Sequence, residues 1–316
     1  MVGTVSVKRF LIVVVHRNGA ALLRETVTAA LAAMRDDDHL VVVDNGSTDD
    51  SLIVLAREFP TVTVIANGCN AGYARACNQG LNTMPSDYVL FLNNDAQLPP
   101  NALDRFAEDF VRDPALALIG AQLVAPDGSL QRSFAPAPTW HSELGLRRRK
   151  RVTPTPDTNG LLPVETIVGA CIAARRTAID AVGPMDPDFF FYFEETEWCV
   201  RMRRHGWKIA LDPAVSVTHR KGHSTQAVRT EAQIEALRSR LLYYRKTMPP
   251  LLAATVTINR VVRVVLNTLG QLTLFAVTLG CVPRIRKRLI GYGSQLVWLL
   301  LGCPRTWGLP DKCTHS

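Results

Sequence analysis

Acidic and amide side chains follow directly after several apolar runs of the sequence, where they could bind a ligand together. Asp44 follows the run at 40–43, and Asn93 and Asp95 follow the run at 87–92. A carboxylate can accept an N–H group of a nucleobase, and its hard oxygen atoms also bind divalent cations. An ordinary turn explains either segment too, so each motif alone leaves a structural role open.

A second acidic cluster follows a run of aromatic residues. Glu194, Glu195 and Glu197 come after five Phe and Tyr residues at 189–193. Carboxylates are favoured at any helix start, where they complement the helix dipole. Mutual repulsion and apolar surroundings would also raise the pKa of such a carboxyl group, as a general base requires. His219, at the end of a predicted strand, is either a surface hydrogen-bonding residue or a ligand-binding one.

Short Val/Ile/Leu runs that end abruptly in polar residues predict the strands that position these side chains. These runs lie at 10–15, 40–43, 61–65 and 87–92, and helical spacing lies between them at 20–34, 51–59 and 73–81. Such alternation predicts an α/β fold with a mostly parallel, doubly wound sheet and helices on both faces. Ligands bind at the carboxyl ends of the strands in such sheets. We therefore expect one shared edge for the polar residues at 16–19, 44–49, 67–72 and 93–95.

The remainder of the chain predicts shorter elements and a helical tail. A turn is expected at 126–128, a mobile Pro-rich loop at 135–163 with the basic segment RRRKR at 147–151, regular structure at 164–174, a helix through about His205 and strands near 208–218. Helical spacing resumes at about Arg229. We expect a catalytic domain at 1–228, with halves at about 8–112 and 113–228, and a helical C-terminal region at 229–316.

Charge is distributed unevenly along the 316 residues. The composition, 47% hydrophobic and 20% charged, excludes a disordered or collagenous chain. The net charge is +8, and residues 251–316 alone carry eight basic residues and one acidic residue. A nearly neutral body with a basic, apolar tail favours an anionic membrane surface over nucleic acid as partner.

The tail contains 19 consecutive uncharged residues at 264–282, which as a helix would be about 28 Å long. Polar residues dilute this run and basic residues flank it, so an in-plane or re-entrant helix is as good an interpretation as a span. A soluble helical subdomain also stays open. The seven cysteines form no Cys-x-x-Cys pair, which favours a reduced, cytoplasmic chain. The N-terminal apolar run is too short for a signal peptide and predicts the first strand.

Six motifs in a fixed order carry a family resemblance. They are HRNG (16–19), DNGSTD (44–49), NAGYARACNQG (70–80), LNND (92–95), VGA (168–170) and GPMDPDFFFYFEETEWCVRMRRHGW (183–207), with His219 after them. Together they resemble the family 2 inverting glycosyltransferases, and their spacing is similar to the rhamnosyltransferase-like branch that uses dTDP-L-rhamnose. The resemblance spans about residues 8–225. It implies the GT-A fold, a nucleotide-sugar donor and a divalent metal, Mg²⁺ or Mn²⁺.

The resemblance also implies roles for single residues. Asp95 matches the metal ligand of the family's Asp-x-Asp motif, in which Asn93 replaces the first carboxylate and should weaken metal binding. His219 matches a residue that completes the metal site or contacts the diphosphate. Glu195 matches the family's catalytic base, an Asp, and because its side chain is longer, Glu194 and Glu197 stay open as alternatives.

The remaining implied positions face the two substrates. Arg17 stands where the family commonly has an aromatic residue stacked on the base, and a guanidinium plane can stack there as well. The expected donor-binding residues are His16, Arg17, Asn18, Asp44, Asn70, Gly72, Arg75, Asn78, Asn93 and Asn94. The expected acceptor-binding residues are Gly169, Ala170 and Trp198. Lys221 and His223 are weaker candidates for contact with the diphosphate.

The sequence thus predicts an inverting transfer of L-rhamnose from dTDP-L-rhamnose to a lipid-linked or polysaccharide acceptor in cell-surface glycan synthesis. The expected location is the cytoplasmic side of the cell membrane, peripheral or monotopic, and a homodimer is left open. The alternative from another class is a non-catalytic nucleotide-sugar-binding partner of a membrane glycan assembly complex. A nucleotidyltransferase would need a Gly-rich basic loop after the first strand, and a dehydrogenase a Gly-x-Gly-x-x-Gly motif; neither is present.

Overall fold

The computed structural model describes residues 8–146, 154–220 and 228–313, so the basic segment at 147–151, Lys221 and His223 lie outside the described residues. The strands are β1 (Lys8–His16), β2 (His39–Asp44), β3 (Thr63–Ala66), β4 (Ser86–Asn93), β5 (Ala96–Gln97), β6 (Leu116–Val124), β7 (Phe134–Ala135), β8 (Leu162–Pro163), β9 (Thr166–Ile167), β10 (Cys171–Arg175) and β11 (Lys208–His219). The helices are α1 (Ala20–Ala33), α2 (Ser51–Glu58), α3 (Tyr73–Leu81), α4 (Ala102–Arg112), α5 (Trp140–Leu144), α6 (Arg176–Val182), α7 (Glu194–Arg204), α8 (Arg229–Thr247), α9 (Pro250–Val277) and α10 (Pro283–Leu300).

The main sheet has the strand order β3-β2-β1-β4-β10-β6-β11-β5, and β8 also pairs with β11. Strands β3, β2, β1 and β4 are parallel, as are β6 and β11, whereas β10 runs antiparallel to both of its neighbours. Alternate residues of β1 enter different cores: Phe10 and Ile12 pack with α1 and α4, and Leu11 and Val13 pack with α3 and α7. This period of two explains the buried, continuously apolar strand and confirms the predicted α/β sheet covered on both faces.

The strand register aligns the polar residues at one edge of the sheet. His16 of β1 is opposite Asp44 of β2, and Val15 is opposite Asn93 of β4. On the other side of β4, Leu92 is opposite Cys171 of the antiparallel strand β10. The loops after β1, β2 and β4 therefore meet the loop before β10, which comes from the second half of the fold.

The C-terminal region folds differently from the single apolar run expected at 264–282. Helix α9 begins at Pro250 and ends at Val277, a turn with Gly280 at φ 69° follows, and Pro283 begins α10. Glycine at a positive φ and proline at a helix start stop the run, because neither suits the interior of a helix. The two helices pack against each other as a hairpin.

The first half of α9 is docked on the catalytic body. Glu143 of α5 is buried and accepts hydrogen bonds from Tyr244 of α8 and from Arg260 of α9, the latter at 2.9 Å. Part of the segment at 135–163, expected as a mobile loop, therefore forms a capped helix with a buried ion-pair network. Removal of one partner from such a network costs about 3–5 kcal/mol, so this contact fixes the C-terminal helices to the sheet domain.

The prediction of a fully reduced chain is wrong, because Cys69 and Cys313 form a disulfide. Residues 309–313, called the C-terminal strap here, return to the β3–α3 loop after α10. Two backbone hydrogen bonds join the strap to this loop, from Asn70 N to Asp311 O at 2.8 Å and from Cys313 N to Asn70 O at 3.1 Å. The two cysteines are 244 residues apart, so no local spacing could have indicated the pair.

Candidate active site

Asp44 ends β2 with one carboxylate oxygen used and the other unpaired. Its Oδ2 accepts the backbone N–H of Ser47 at 3.0 Å, and its Oδ1 is buried without a hydrogen-bond partner in the described part of the chain. A buried acceptor without a donor is costly unless a ligand satisfies it. The geometry of Asp44 therefore suits the acceptance of an N–H group from a bound base.

The ring of His16 is hydrogen-bonded inside the protein. Its side chain is fully buried, its Nδ1 accepts a hydrogen bond from the Asn94 amide at 2.9 Å, and its Nε2 consequently donates to the Ser51 hydroxyl at 2.7 Å. Ser51 in turn donates to Asp49. Burial lowers the pKa of His16 to about 4, so the ring stays neutral. The side chains of His16 and Asn94 thus connect the loops after β1, β2 and β4, and their contact with a donor stays a prediction.

Asn18 and Asn70 also form loop contacts. Asn18, at φ 56°, accepts the backbone N–H of Thr48 through its side-chain oxygen at 2.8 Å. The side-chain oxygen of Asn70 accepts N–H groups from Asn45 at 2.9 Å and from Gly72 at 3.1 Å. These amides connect the loops at the polar edge of the sheet, and their side-chain oxygens already accept hydrogen bonds from the protein.

Asp95 and His219 face each other at the other end of this edge. Gln131 accepts a hydrogen bond from His219 Nδ1 at 3.1 Å, and the Nε2 atom of the same ring lies 3.4 Å from Asp95 Oδ1. Asp95 Oδ1 is buried and has no hydrogen-bond partner among the described residues. A buried carboxylate oxygen without a donor is costly unless positive charge lies beside it. The pair therefore fits a divalent ion, with Asn93, half-buried at the end of β4, beside it in the chain.

The pair supplies only part of a coordination shell. In the described ranges no group of three or more His, Cys, Asp or Glu side chains is placed to hold a metal ion. Magnesium and manganese sites in enzymes of phosphorylated substrates commonly use one or two protein ligands, and water and phosphate oxygens fill the rest. Asp95 and His219 match this kind of site.

The three glutamates at the start of α7 have different environments. Glu197 is buried and makes a two-pronged ion pair with Arg201, with a shortest distance of 2.9 Å. Glu194 is 6% exposed and its Oε2 has no partner within the described residues. Burial, and then the charges of Glu195 and Glu235, raise the pKa of Glu194 well above its ordinary value. Glu194 therefore binds its proton more tightly than an ordinary glutamate does, and Glu197 is held by its ion pair.

Glu195 is half-buried and lies next to the loop before β10. A methyl group placed on Gly169 would lie 3.6 Å from Cγ of Glu195, so a side chain at 169 would narrow this space. Burial raises the pKa of Glu195, and hydrogen bonds from the backbone of Glu195 and Thr196 oppose the shift. Of the three glutamates, Glu195 combines access to solvent with a raised pKa, which is what a general base needs.

The segment that leads into α7 is held in a strained conformation. Tyr192 and Phe193 both have positive φ angles, 71° and 69°. Such angles cost about 1–3 kcal/mol each in a side-chain-bearing residue and persist only where the surroundings enforce them. The carbonyl of Phe190 accepts Tyr73 N–H at 2.7 Å, and the carbonyl of Phe191 accepts the Ser239 hydroxyl at 2.8 Å.

Arg75, Asn78 and Gly72 hold the same segment from the side of α3. The Asn78 amide donates to the carbonyl of Met185 at 2.7 Å, and Arg75 Nε donates to the carbonyl of Pro187 at 3.3 Å. Gly72 has φ 88° and ψ 162°, and a Cβ there would lie 2.7 Å from the Phe190 carbonyl. The structure therefore gives all three a role in positioning the acidic segment, where direct contact with the donor was predicted.

Of the predicted acceptor-binding residues, only Gly169 is partly exposed to solvent. Trp198 is fully buried and its indole N–H donates to the carbonyl of Gly183 at 3.0 Å. Ala170 is 1% exposed, and its carbonyl accepts Asn93 N–H at 3.0 Å. Both side chains pack in the core, and the contact of Trp198 and Ala170 with an acceptor stays a prediction.

Sequence reasoning missed Gln131 and Asn45. Gln131 donates to the backbone carbonyl of His219 at 2.7 Å, which fixes the orientation of its amide and thereby the tautomer of the ring. It lies 88 residues before His219, in a connection without a motif. Asn45 lies within DNGSTD, but its contacts with Asn70 depend on the fold of a distant loop.

The family assignment rests on a match over residues 11–183 to the family described as "Glycosyl transferase family 2", more than half of the chain. The chain belongs to glycosyl transferase family 2. This glycosyltransferase is 27% identical over 205 residues to N-acetylglucosaminyl-diphospho-decaprenol L-rhamnosyltransferase of Mycobacterium tuberculosis, and the match covers 57% of the chain. It spans 65% of that relative, slightly less than two thirds of its length. The low-salt glycan biosynthesis hexosyltransferase Agl10 of Haloferax volcanii is 26% identical over 160 residues, 49% of this chain and 50% of that one.

Solved structures of other glycosyltransferases share the fold. The mannosyltransferase PcManGT from Pyrobaculum calidifontis, in complex with GDP-Man and Mn²⁺, matches with a TM-score of 0.53 and 15% identity, over 94% of this chain and 87% of that one. GalNAc-T7 with UDP, GalNAc and Mn²⁺ matches with a TM-score of 0.53 and 16% identity, over 67% and 44%. The predicted GT-A fold of this family 2 glycosyltransferase is confirmed, and two of its structural neighbours bind Mn²⁺ together with nucleotide ligands.

Proposed function

We propose that this glycosyltransferase moves L-rhamnose from dTDP-L-rhamnose to a lipid-linked or polysaccharide acceptor, with inversion at the anomeric carbon. The observation that carries the transfer chemistry is the pair of facing atoms, Asp95 Oδ1 and His219 Nε2, at 3.4 Å. The choice of rhamnose and of a lipid-linked acceptor rests on similarity to the mycobacterial relative, whose name describes both.

In this mechanism each half of the site has one task. Asp44 accepts an N–H group of the base, and the Arg17 guanidinium stacks on it. Glu195 removes the proton of the acceptor hydroxyl while that oxygen forms a bond to the anomeric carbon and the bond to the diphosphate breaks. A divalent ion held by Asp95 and His219 would supply positive charge for the departing diphosphate. Asn93 leaves the site one carboxylate short, so we expect weak metal binding.

The test of this proposal is dTDP release from dTDP-L-rhamnose, with membrane extract as acceptor and Mg²⁺ or Mn²⁺ present. We expect release that needs both the acceptor and the metal, and weaker release from UDP-linked and GDP-linked sugars. A larger response to a UDP-sugar would contradict the choice of donor. Binding of dTDP-L-rhamnose without release in any acceptor fraction would favour the non-catalytic binding partner instead.

The helical hairpin of α9 and α10 supports a membrane location. Among the described residues, α9 is the one helix long and apolar enough to cross a membrane by length and composition, and its apolar window is 6% buried. Val264 of α9 is still buried against Ile234 and Leu237 of α8, and residues 265–277 after it form about 20 Å of helix, shorter than the hydrocarbon core. The basic residues Arg284, Arg286, Lys287 and Arg288 follow directly after the turn. We therefore favour monotopic insertion of the hairpin at the cytoplasmic surface.

Flotation with liposomes tests this location. Leu269 and Leu272 are about half exposed on α9, and Val111 is an equally apolar exposed residue on the body. We expect Leu269→Glu and Leu272→Glu to reduce binding to vesicles with 30% anionic lipid by roughly tenfold, and Val111→Glu to leave it unchanged. Equal binding by all variants would refute the role of the hairpin. The domain boundary at residue 228 and the homodimer stay predictions, and analytical ultracentrifugation measures the latter.

A further inference from the structure

The C-terminal strap lies against the loops after β1 and β3 at the polar edge of the sheet, although it is far from these strands in sequence. Asn70 receives three contacts from it: its backbone N–H and C=O pair with Asp311 and Cys313, and its side-chain amide donates to the Pro310 carbonyl at 3.3 Å. Asn70 also accepts a hydrogen bond from Asn45, the neighbour of Asp44. The strap is therefore connected through Asn70 and Asn45 to the loop that begins at Asp44, the carboxylate with the unpaired oxygen.

Asp311 of the strap holds the side chain of Arg17. The Arg17 Nη2 group is paired with Asp311 Oδ2, and the Arg17 Nε atom is buried without a partner among the described residues. The Arg17 side chain is 25% exposed, and its ion pair with Asp311 of the strap restrains the guanidinium group. A long side chain that is oriented before a ligand arrives loses less entropy on binding.

The strap also reaches the acidic segment on the other side of the site. Lys312 pairs with the buried Glu235 at 2.7 Å and lies 4.5 Å from the ring centre of Phe190. Glu235 also pairs with Arg238 of α8, at 2.5 Å. The strap thus contacts the β1–α1 loop, the β3–α3 loop and helix α8. One covalent bond, between Cys69 and Cys313, fixes it to the body.

We propose that the C-terminal strap is a working part of the donor site: Asp311 positions Arg17, and the Cys69–Cys313 disulfide keeps Asp311 in place, so that reduction of this bond weakens binding of the nucleotide-sugar. The inference rests on the proposed function, because it takes Arg17 as a residue that contacts the donor. Reduction by a dithiol transfers two electrons and two protons to the bond, which yields the thiols of Cys69 and Cys313 and one cyclic disulfide of the reductant.

Two kinds of variant separate the ion pair from the covalent bond. Asp311→Asn keeps the strap attached and removes the charge that orients Arg17, and for a partly exposed ion pair we expect donor KM to rise about two- to fivefold. Cys313→Ser removes the bond, and because it frees both Arg17 and Asn70 we expect about a tenfold rise. In both variants kcat should change by less than about twofold, as expected when only ground-state binding is lost.

The experiment compares donor binding and initial rates of the full-length protein before and after treatment with dithiothreitol. Cys303→Ser is the matched control, because Cys303 is a free, exposed cysteine that precedes the strap. The wild type and Cys303→Ser should lose about tenfold in donor affinity on reduction, and Cys313→Ser, already weak, should not respond. Mass spectrometry after thiol labelling confirms which cysteines were reduced, and hydrogen exchange at 67–72 reports release of the strap without any ligand.

Three outcomes would overturn this inference. If donor affinity is the same for the oxidised and the reduced protein, the strap has a structural role only. If donor binding is tighter after reduction, the strap blocks the site. A fall in kcat at constant KM would place its effect on the chemical step. If the oxidised wild type binds no nucleotide at all, the proposed function fails and this inference falls with it, so the two failures are distinguishable.

Discussion

Glu195→Gln is the substitution that most directly tests the chemistry of the site. Gln keeps the volume of the side chain and removes its ability to take a proton. General bases contribute about 10²–10⁴-fold, so we expect kcat to fall by that factor, equivalent to about 3–5 kcal/mol of activation free energy. The measurement is acceptor-dependent dTDP release under saturating donor and metal, for wild type and variant side by side.

Glu194→Gln is the matched control, one residue away on the same helix turn. Burial, and then the charges of Glu195 and Glu235, raise the pKa of Glu194 well above its ordinary value, and its side chain is buried whereas Glu195 is partly exposed. A neutral amide in its place should change kcat by less than about threefold and leave the pH dependence intact. The wild-type rate should rise with pH as Glu195 loses its proton, with a midpoint above the ordinary pKa of glutamate, because burial raises that pKa.

Thermal unfolding distinguishes a lost base from a lost fold. A carboxyl group with a raised folded-state pKa binds its proton more tightly when folded, so stability falls as pH rises from the ordinary pKa through the folded one. Both Gln variants remove this loss and should be at least as stable as the wild type at pH 8. If Glu195→Gln retains its rate while Glu194→Gln loses it, our assignment of the base is wrong. A loss in both would show that the pair shares one proton in the reaction.

Three further predictions concern the supports of the site. Gly72→Ala should lower the free energy of unfolding by about 2 kcal/mol, measured by denaturant titration, because φ 88° with ψ 162° is a glycine-only region. The free energy of unfolding should fall as pH falls from 6.5 to about 4, because in this range only the unfolded chain binds a proton at His16. His16→Gln should remove about 3 kcal/mol of this pH dependence, measured by urea titration at each pH. Gln131→Leu should raise the Mn²⁺ concentration for half-maximal activity by about 10–100-fold, because it frees the ring of His219.

Each of these predictions has a result that contradicts it, and the prediction for Gly72 also has a matched control. Gly68, in the same loop as Gly72, has open space at its Cβ position, so Gly68→Ala should change stability by less than about 0.5 kcal/mol. Equal effects at Gly68 and Gly72 would refute the close approach to Phe190. If the free energy of unfolding falls at acid pH as steeply in His16→Gln as in the wild type, the ring is protonated when folded. An Mn²⁺ dependence unaffected by Gln131→Leu would remove His219 from the metal site.

The strands and helices of the nucleotide half could be predicted because their signals are local. The run at 87–92 and the polar residues after it indicated β4 and its loop, since a buried parallel strand is apolar throughout. The roles of His16 and Trp198 could not be predicted in the same way. Whether a polar side chain faces a ligand or the core depends on partners such as Asn94 and Gly183, which only the folded chain brings close.

The helical tail shows a second limit of local reasoning. Composition indicated an apolar, basic region, but not that Arg260 would pair with a buried Glu143 and fix the hairpin to the body. The disulfide between Cys69 and Cys313 likewise depends on the path of the whole chain. Contacts between distant residues are set by tertiary packing, so a pattern within ten or twenty residues carries no information about them.

The strap also sets the order in which the protein becomes complete during synthesis. Asn70 leaves the ribosome before Asp311, which is made 241 positions later. At about 5–20 residues per second, roughly 10–50 s separate the two. The parallel strands can fold in that interval, but the contact that holds Arg17 can form only once residues 309–313 have left the ribosome. A chain truncated before residue 309 would fold its sheet and still lack this contact.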